Sequence, residues 1–214
     1  MFRITSINDN EILVDIKTYD PINVKKITLL YSMIEEMKIK SFLERCVNLE
    51  EFEAHYNFTM NIDFSNMRKL RVIVLTGENC ISSLRDLVHL RDLDELHLSD
   101  DFDGSLEPLL ELENLRKLRI GMNFNNSIDC LYNMSSLREL TIFNYDCVSY
   151  NRLPRNLELL SVRNIINVIE NIPETLKLIY TRYIADYLYD RINEKELFRL
   201  PEGCILNVGC KFEC

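Results

Sequence analysis

A six-residue phrase with leucine or isoleucine at its first, fourth and sixth positions recurs evenly through the middle of the chain. Its copies are spaced by roughly 22 residues, a period typical of stacked solenoid repeats, and they are Leu93, Leu96, Leu98; Leu115, Leu118, Ile120; and Leu137, Leu140, Ile142. A single unit cannot bury these side chains, whereas stacked units place each one against its equivalents above and below. The phrase therefore predicts a repeat protein with one continuous core.

The agreement extends into the segments between the phrases. Leu106, Leu109 and Leu112 follow the first copy at the offsets at which Ile128, Leu131 and Met134 follow the second. Burial of one leucine or isoleucine is worth about 1.5–3 kcal/mol. Six such positions in a unit can therefore offset the entropy lost when its loops become ordered.

Further copies extend the array in both directions and predict about eight turns, each with one parallel strand. The earlier copies are Val24, Ile27, Leu29; Leu49, Phe52, Ala54; and Leu70, Ile73, Leu75. In the last two units a Leu/Ile-Pro phrase at Leu153 and Ile172 leads into Leu160 and Ile179. We expect an α/β, curved, single-domain solenoid over residues 1–214, with its parallel β-sheet on the concave face and with repeats over residues 24–181.

Distinct caps are expected at both ends, because an uncovered terminal repeat would expose core and strand edge. In residues 1–23, two β-prone runs, 2–7 and 11–16, flank a turn-forming triplet and predict an N-terminal hairpin. In residues 182–214, apolar residues Ile184, Tyr187, Leu188 and Ile192 predict a helix with one apolar face, and a strand is expected over 204–208.

Charge and composition restrict the partners. The formal net charge of −9 and the pI near 5.0 oppose nucleic-acid binding, which depends on basic surface. The sequence has no apolar run long enough to cross a membrane and no secretory apolar region at its start, so we expect a cytoplasmic protein. An odd number of scattered cysteines, 7, then favours reduced thiols.

The sequence gives little support for a catalytic site or a metal site. His97 is close to Glu95 on one predicted strand, and Lys117 and Arg119 are one turn away, but a general base needs a pocket as well as a positioned partner. The cysteines and histidines lack metal-ligand spacing. We therefore expect no enzyme activity, cofactor or metal, and a weak hydrolase is the least favoured function.

The chain resembles the leucine-rich repeat superfamily over roughly residues 24–181. More narrowly, it is similar to the FNIP-type subclass found in amoebal and large-DNA-virus proteins. The motifs are Phe-x-x-Ser-Leu/Ile at Phe102 and Phe124, and Leu/Ile-Pro-x-x-Leu at Leu153 and Ile172. The resemblance implies a scaffold that binds proteins without its own chemistry, in the host cytoplasm if the protein is viral.

Partner-binding residues are expected between the aliphatic positions of each strand, since these side chains point away from the core. Interface centres favour aromatic residues and arginine. The candidates are Phe143, Leu159, Arg163, Leu178, Tyr180 and Arg182, with the unusually apolar Val72 and Val74. The alternative is that a C-terminal helix covers the larger group.

Two further alternatives concern the partner. The acidic run between Asp92 and Glu113 is either a solvated face or a dock for a basic partner segment. The protein as a whole is either a protein-binding module or a structural spacer that oligomerises through its caps.

Overall fold

The computed structural model describes residues 20–29, 36–55, 62–76, 81, 83–144, 152–165, 169, 171–185 and 200–209. The predicted N-terminal hairpin and residues 187–192 of the predicted C-terminal helix lie outside these ranges. All eight predicted repeat strands are present, and a ninth follows. The strands are β1 Lys26–Leu29, β2 Glu51–Ala54, β3 Val72–Leu75, β4 Glu95–His97, β5 Lys117–Ile120, β6 Glu139–Ile142, β7 Leu159–Ile165, β8 Leu178–Ile184 and β9 Ile205–Val208. They form one sheet in chain order, and every pair is parallel.

The strands pair in the register that the repeated phrase predicts. Leu96 is opposite Leu118, Leu118 is opposite Leu140, and Leu140 is opposite Leu160. These leucines are buried, and the residues on either side of them are mostly half-buried. Because successive side chains of a strand point to opposite faces, a shift by one residue would expose every core leucine. The hydrophobic pattern therefore fixes the register.

The returning segments are mostly short 3₁₀ turns. Along them apolar residues recur every third position, which matches the 3.0 residues per turn of a 3₁₀-helix. The amide of Leu90 donates to the carbonyl of Leu87 at 2.9 Å, and that of Leu93 to Leu90 at 3.1 Å. The 3₁₀-helices are Pro21–Asn23, Leu84–Leu87, Glu107–Glu111 and Asp129–Asn133, and among the described residues the only α-helix is α1, Glu36–Leu43. The α content is thus small for a fold predicted as α/β.

Asparagines bind the turns to one another just before the strands. The side-chain amides of Asn48, Asn114 and Asn156 donate to backbone carbonyls of the preceding turn at 2.9, 2.8 and 2.8 Å. Each of the three comes immediately before a buried leucine. Each asparagine thus ties its own turn to the preceding one, directly beside a leucine of the core.

The last turns are built around proline. The amides of Leu157, Leu176 and Cys204 donate to the carbonyls of Pro154, Pro173 and Pro201 at 3.1, 3.0 and 3.0 Å. Equivalent ion pairs join residues 22 apart at Arg116–Asp94 but 19 apart at Lys177–Glu158, so the later units are shorter, as expected.

One prediction at the C-terminal end was wrong. Ile184 was expected to begin a helix, but it is the last residue of β8, where it is opposite Ile165. The β-branched Ile184 is buried, and strand pairing with β7 overrides the helical spacing of the residues after it.

Candidate functional site

Along each strand, the side chains that alternate with the core residues lie on the face of the sheet opposite the buried leucines. We call this face the open face. On its N-terminal strands these side chains pair with one another. Nζ of Lys26 lies 2.7 Å from the Glu51 carboxylate and 2.6 Å from that of Glu53. These hydrogen bonds, first with Glu51 and then with Glu53, raise the pKa of Lys26.

The middle strands continue this pairing. His97 Nε2 is 2.8 Å from Glu95 Oε1, and the hydrogen bond from His97 lowers the pKa of Glu95. Lys117 is 3.5 Å from Glu139. These residues form a same-strand hydrogen bond, His97 to Glu95, and a cross-strand ion pair, Lys117 with Glu139, on the open face. Such contacts between neighbouring side chains set the surface charge of the sheet and stabilise strand pairing.

Arg119 connects the middle of the open face to its C-terminal end. Its guanidinium carbon lies 4.1 Å from the centre of the Phe143 ring, a distance at which a cation–π interaction is favourable. Phe143 is half-buried directly after β6. The aromatic ring is thus held in place by a charged side chain from the preceding strand.

On the last three strands the open face changes character. Leu159, Leu178 and Ile205 are aligned across β7, β8 and β9 as one aliphatic row. Ser161, Tyr180 and Asn207 form the next row. Arg163 and Arg182 are neighbours in a third row, since the pairs on both sides of them, Val162↔Thr181 and Asn164↔Tyr183, are in register. We call Phe143, Leu159, Arg163, Leu178, Tyr180, Arg182 and Ile205 the C-terminal patch.

Exposure differs across the patch. Leu159, Leu178 and Tyr180 are half-buried, Arg182 is exposed, and Ile205 is 61% exposed. Six of the eight residues predicted to bind a partner are therefore brought together on the same side of neighbouring turns. Whether a helix covers them depends on residues 186–199, which are outside the described ranges.

Val72 and Val74 belong to a different part of the sheet. Both are half-buried on β3, between the charged side chains of β2 and β4. Four strand steps separate β3 from β7, a distance of about 19 Å at 4.8 Å per step. A single small contact cannot include both the valines and the C-terminal patch.

Sequence reasoning missed the contribution of β9. Residues 204–208 were expected to form a strand within a cap, whereas Ile205 and Asn207 extend the rows of the open face. A signal was present, because Leu200-Pro201-x-x-Cys204 repeats the Leu-Pro-x-x-Leu phrase with cysteine in the final position. The turn at Pro201 has the same hydrogen bond, from the amide of Cys204 to the carbonyl of Pro201, as the turns at Pro154 and Pro173.

Three carboxylates of the acidic run make contacts between turns. Asp94 forms an ion pair with Arg116, and this hydrogen bond lowers the pKa of Asp94. Asp100 accepts from the amide of Met122 at 3.1 Å, and Asp103 accepts from the amide of Asn125 at 2.7 Å. These three carboxylates therefore bind neighbouring turns, and the choice between a solvated face and a dock for the rest of the run stays a prediction.

The described cysteines Cys46, Cys130 and Cys204 are free thiols. Burial raises the pKa of Cys46 to about 11, so its thiol is protonated and acts as a small hydrophobic group. Within the described ranges, no three residues of metal-ligating type come together. In the same part of the chain, every helix is too short or too polar to cross a membrane.

Comparison with known proteins identifies the fold. No protein-family model matches the chain, and no curated protein sequence matches it. Among solved structures, an internalin (inlF) from Listeria monocytogenes matches with a TM-score of 0.55 and 21% identity over 88% of this chain and 56% of that one. Internalin C2 (inlC2) from the same organism matches with a TM-score of 0.41 and 16% identity over 77% of this chain and 73% of that one. The first match establishes the leucine-rich repeat fold, and this chain spans little more than half of that internalin.

Proposed function

We propose that the protein is a non-enzymatic binding module that recognises a partner protein through the C-terminal patch. One observation carries the proposal: three aligned strands place an aliphatic row, Leu159, Leu178 and Ile205, beside Tyr180 and two arginines. Aromatic and arginine residues are enriched in the energetic centres of protein interfaces, where charged residues are otherwise depleted.

The composition of the rest of the open face makes it a less suitable binding site than the C-terminal patch. From β1 to β6, contacts such as the Lys26–Glu53 ion pair and the His97–Glu95 hydrogen bond already engage charged groups of the open face. A partner that covered them would have to desolvate these groups and match each one, which opposes binding there. The C-terminal patch offers apolar area that a partner can bury, at about 25 cal/mol per Å².

A spacer that assembles through its ends is the second candidate function. It is favoured by β9, the last strand of the sheet formed by the described residues, on which Ile205 and Val208 are 61% and 41% exposed. An exposed edge strand is a template for pairing with another chain. This function predicts self-association that depends on protein concentration.

We further infer that the repeats are of the FNIP type and that the protein works in the cytoplasm. The phenylalanines of the two Phe-x-x-Ser motifs, Phe102 and Phe124, are buried at equivalent positions. The half-buried free thiols of Cys130 and Cys204 suit a reducing compartment. Thiol titration of the denatured protein, isolated under alkylating conditions, should find all cysteines free; a stable bridge from Cys204 would overturn the localisation.

The binding function is tested by quantitative pull-down from extracts of the source cell. Leu178→Ala with Tyr180→Ala should abolish recovery of a specific partner. Val72→Ala with Val74→Ala is the matched control, since it shortens two open-face side chains on β3, and it should leave recovery unchanged. Loss only with the β3 variant would place the binding site there, and equal recovery with all three proteins would favour the spacer.

A further inference from the structure

The charged residues immediately before strands β1 to β8 form a ladder along one edge of the sheet. After the first, the amide of each donates to the carbonyl of its counterpart in the preceding turn at 2.7–2.9 Å. In chain order these residues are Lys25, Glu50, Arg71, Asp94, Arg116, Arg138, Glu158 and Lys177. We call them the entry ladder. Their charges alternate in sign, except where Arg116 is directly beside Arg138.

The carboxylates on either side of this exception each serve two cations. Asp94 accepts from Nη2 of Arg116 at 2.9 Å and also follows an arginine in the ladder. Glu158 is 3.6 Å from Arg138 and is bonded to the next cation. One excess positive charge therefore remains on each side of the contact between the two arginines, and like charges at adjacent positions are unfavourable. Residues 83–144, which include both arginines and the turns that carry them, are described without a gap.

Both guanidinium groups are held in place and keep free donors. Arg116 uses Nε and Nη2 to bind Asp94. Nη1 of Arg138 donates to the carbonyls of Ser135 and Leu137 at 2.7 and 3.1 Å. Within the described ranges, Nη1 of Arg116 and Nη2 of Arg138 make no hydrogen bond. Because their planar groups are already fixed, these arginines lose little conformational entropy when they bind an anion.

A hollow of about 550 Å³ opens beside the two arginines. The turn before β6 contributes only Ser136 and Arg138 to its lining, whereas Asp92 and Glu113 line it from the turns before β4 and β5. Ser136 occupies the position of Asn114, whose amide donates to the preceding turn at 2.8 Å. Serine is shorter than asparagine, and among the described residues its hydroxyl has no hydrogen-bond partner. The β6 end of the hollow is therefore rich in free donors and carries no carboxylate of its own.

We propose that the hollow binds a phosphate monoester, with its phosphate group between Arg116 and Arg138 and with Ser136 donating a further hydrogen bond. This group carries a charge of about −1.5 to −2 at pH 7 and three strong acceptor oxygens. It matches the two excess positive charges, whereas a carboxylate supplies only one negative charge. The net charge of −9 opposes a longer polyanion. The inference goes beyond the proposed function and does not depend on it.

Titration of the ¹⁵N-labelled protein with inorganic phosphate, at neutral pH and constant ionic strength, tests the site. Amide shifts should change and saturate at Arg116, Ser136 and Arg138. Arg116→Gln with Arg138→Gln should weaken binding at least about tenfold, because each removes a charged donor. Lys25→Gln with Lys177→Gln is the matched control, since it removes two positive charges from the same ladder outside the hollow, and it should leave affinity nearly unchanged. Shifts that do not saturate, or equal weakening by the control, would overturn the proposal.

Two further variants keep both arginines. Ser136→Asn should fill the hollow and form the bond to the preceding turn that Asn114 makes, so phosphate affinity should fall while the urea midpoint is kept or raised. Glu113→Gln removes a negative charge from the lining and should strengthen binding. Unchanged affinity in both variants would show that phosphate binds elsewhere and would overturn the site.

A phosphorylated protein side chain and a small phosphate ester carry the same group, and comparison of probes distinguishes them. Tighter binding of a short phosphoserine peptide than of free phosphoserine would identify a phosphorylated protein as the source. Equal binding of the two would identify a small ester. Equal affinity for the same peptide with glutamate in place of phosphoserine would overturn the phosphate ligand in favour of a carboxylate. Tighter binding of oligo(dT) would overturn it in favour of a nucleic acid.

Discussion

The first six strands and the last three share a core and a hydrogen-bond register, yet their open faces differ. Leu118 on β5 and Leu160 on β7 are equally well buried. Beside them stand Lys117 and Arg119 on β5, but Leu159 and Ser161 on β7. Since alternate residues of a strand face opposite ways, the core pattern leaves the open face free to vary. The buried core and the chemistry of the open face are therefore set by alternate residues of the same strands.

The turns that lead into the strands do not divide in the same way. Prolines build the turns before β7, β8 and β9, but Pro21 builds the same turn before β1, and side-chain amides brace turns in both regions, Asn114 before β5 and Asn156 before β7. Proline fixes φ near −65° where no ladder donor is required. The difference between the two open faces therefore comes from the side chains of the strands themselves.

The largest expected effect is a difference in the free energy of unfolding between substitutions on the two faces of β5. Leu118→Ala should destabilise the protein by about 2–5 kcal/mol, because it opens a cavity between stacked turns. Its neighbour Arg119→Ala should cost only about 0.5–1 kcal/mol through the lost contact with Phe143. Urea unfolding midpoints measure both changes, and equal destabilisation would contradict the strand register.

A glycine tests how closely adjacent turns approach. Gly121 follows β5, and a Cβ added to it would lie 2.3 Å from the carbonyl oxygen of Ser99 in the preceding turn. Gly121→Ala should therefore cost about 1–3 kcal/mol by overpacking. Thr76→Ala is the control at the equivalent position after β3 and should cost much less. A neutral Gly121→Ala in thermal unfolding would mean that the loops are further apart than described.

The smallest expected effect concerns the ion pair between Asp94 and Arg116, the residues just before β4 and β5. The hydrogen bond from Arg116 lowers the pKa of Asp94 below its ordinary 3.8. Its stabilisation is therefore complete above that value and is lost as the pH falls through the lowered pKa. Asp94→Asn should flatten the acid limb of the stability–pH profile slightly and leave neutral-pH stability little changed. If stability fell more steeply with decreasing pH in the variant than in the wild type, the predicted contribution of Asp94 would be contradicted.

The core could be predicted from sequence because its signal is repeated. Leu96, Leu118 and Leu140 occupy equivalent places, so each copy confirms the others, and the fold follows from their period. The ladder of Asn48, Asn114 and Asn156 was missed although an Asn-Leu pair marks each copy.

The candidate site could be predicted only in part, because its residues are not repeated. Tyr180 and Arg163 follow from strand alternation alone. Ile205 does not, because Cys204 replaces the leucine that would have marked another turn and the interval to β9 is longer. Single-sequence spacing also could not show that Ile184 continues β8, since its pairing with Ile165 is a contact between turns.

The most direct test of the account measures binding and stability on the same variant. Tyr180→Ala with Arg163→Ala should weaken binding of the partner recovered by pull-down at least about tenfold, a loss of about 1.4 kcal/mol. The urea midpoint should stay nearly unchanged. Glu95→Ala with Lys117→Ala, on the open face of the middle strands, should keep both values near wild type. Normal binding by the first variant, or early unfolding because its side chains belong to the core, would contradict the separation of recognition from stability.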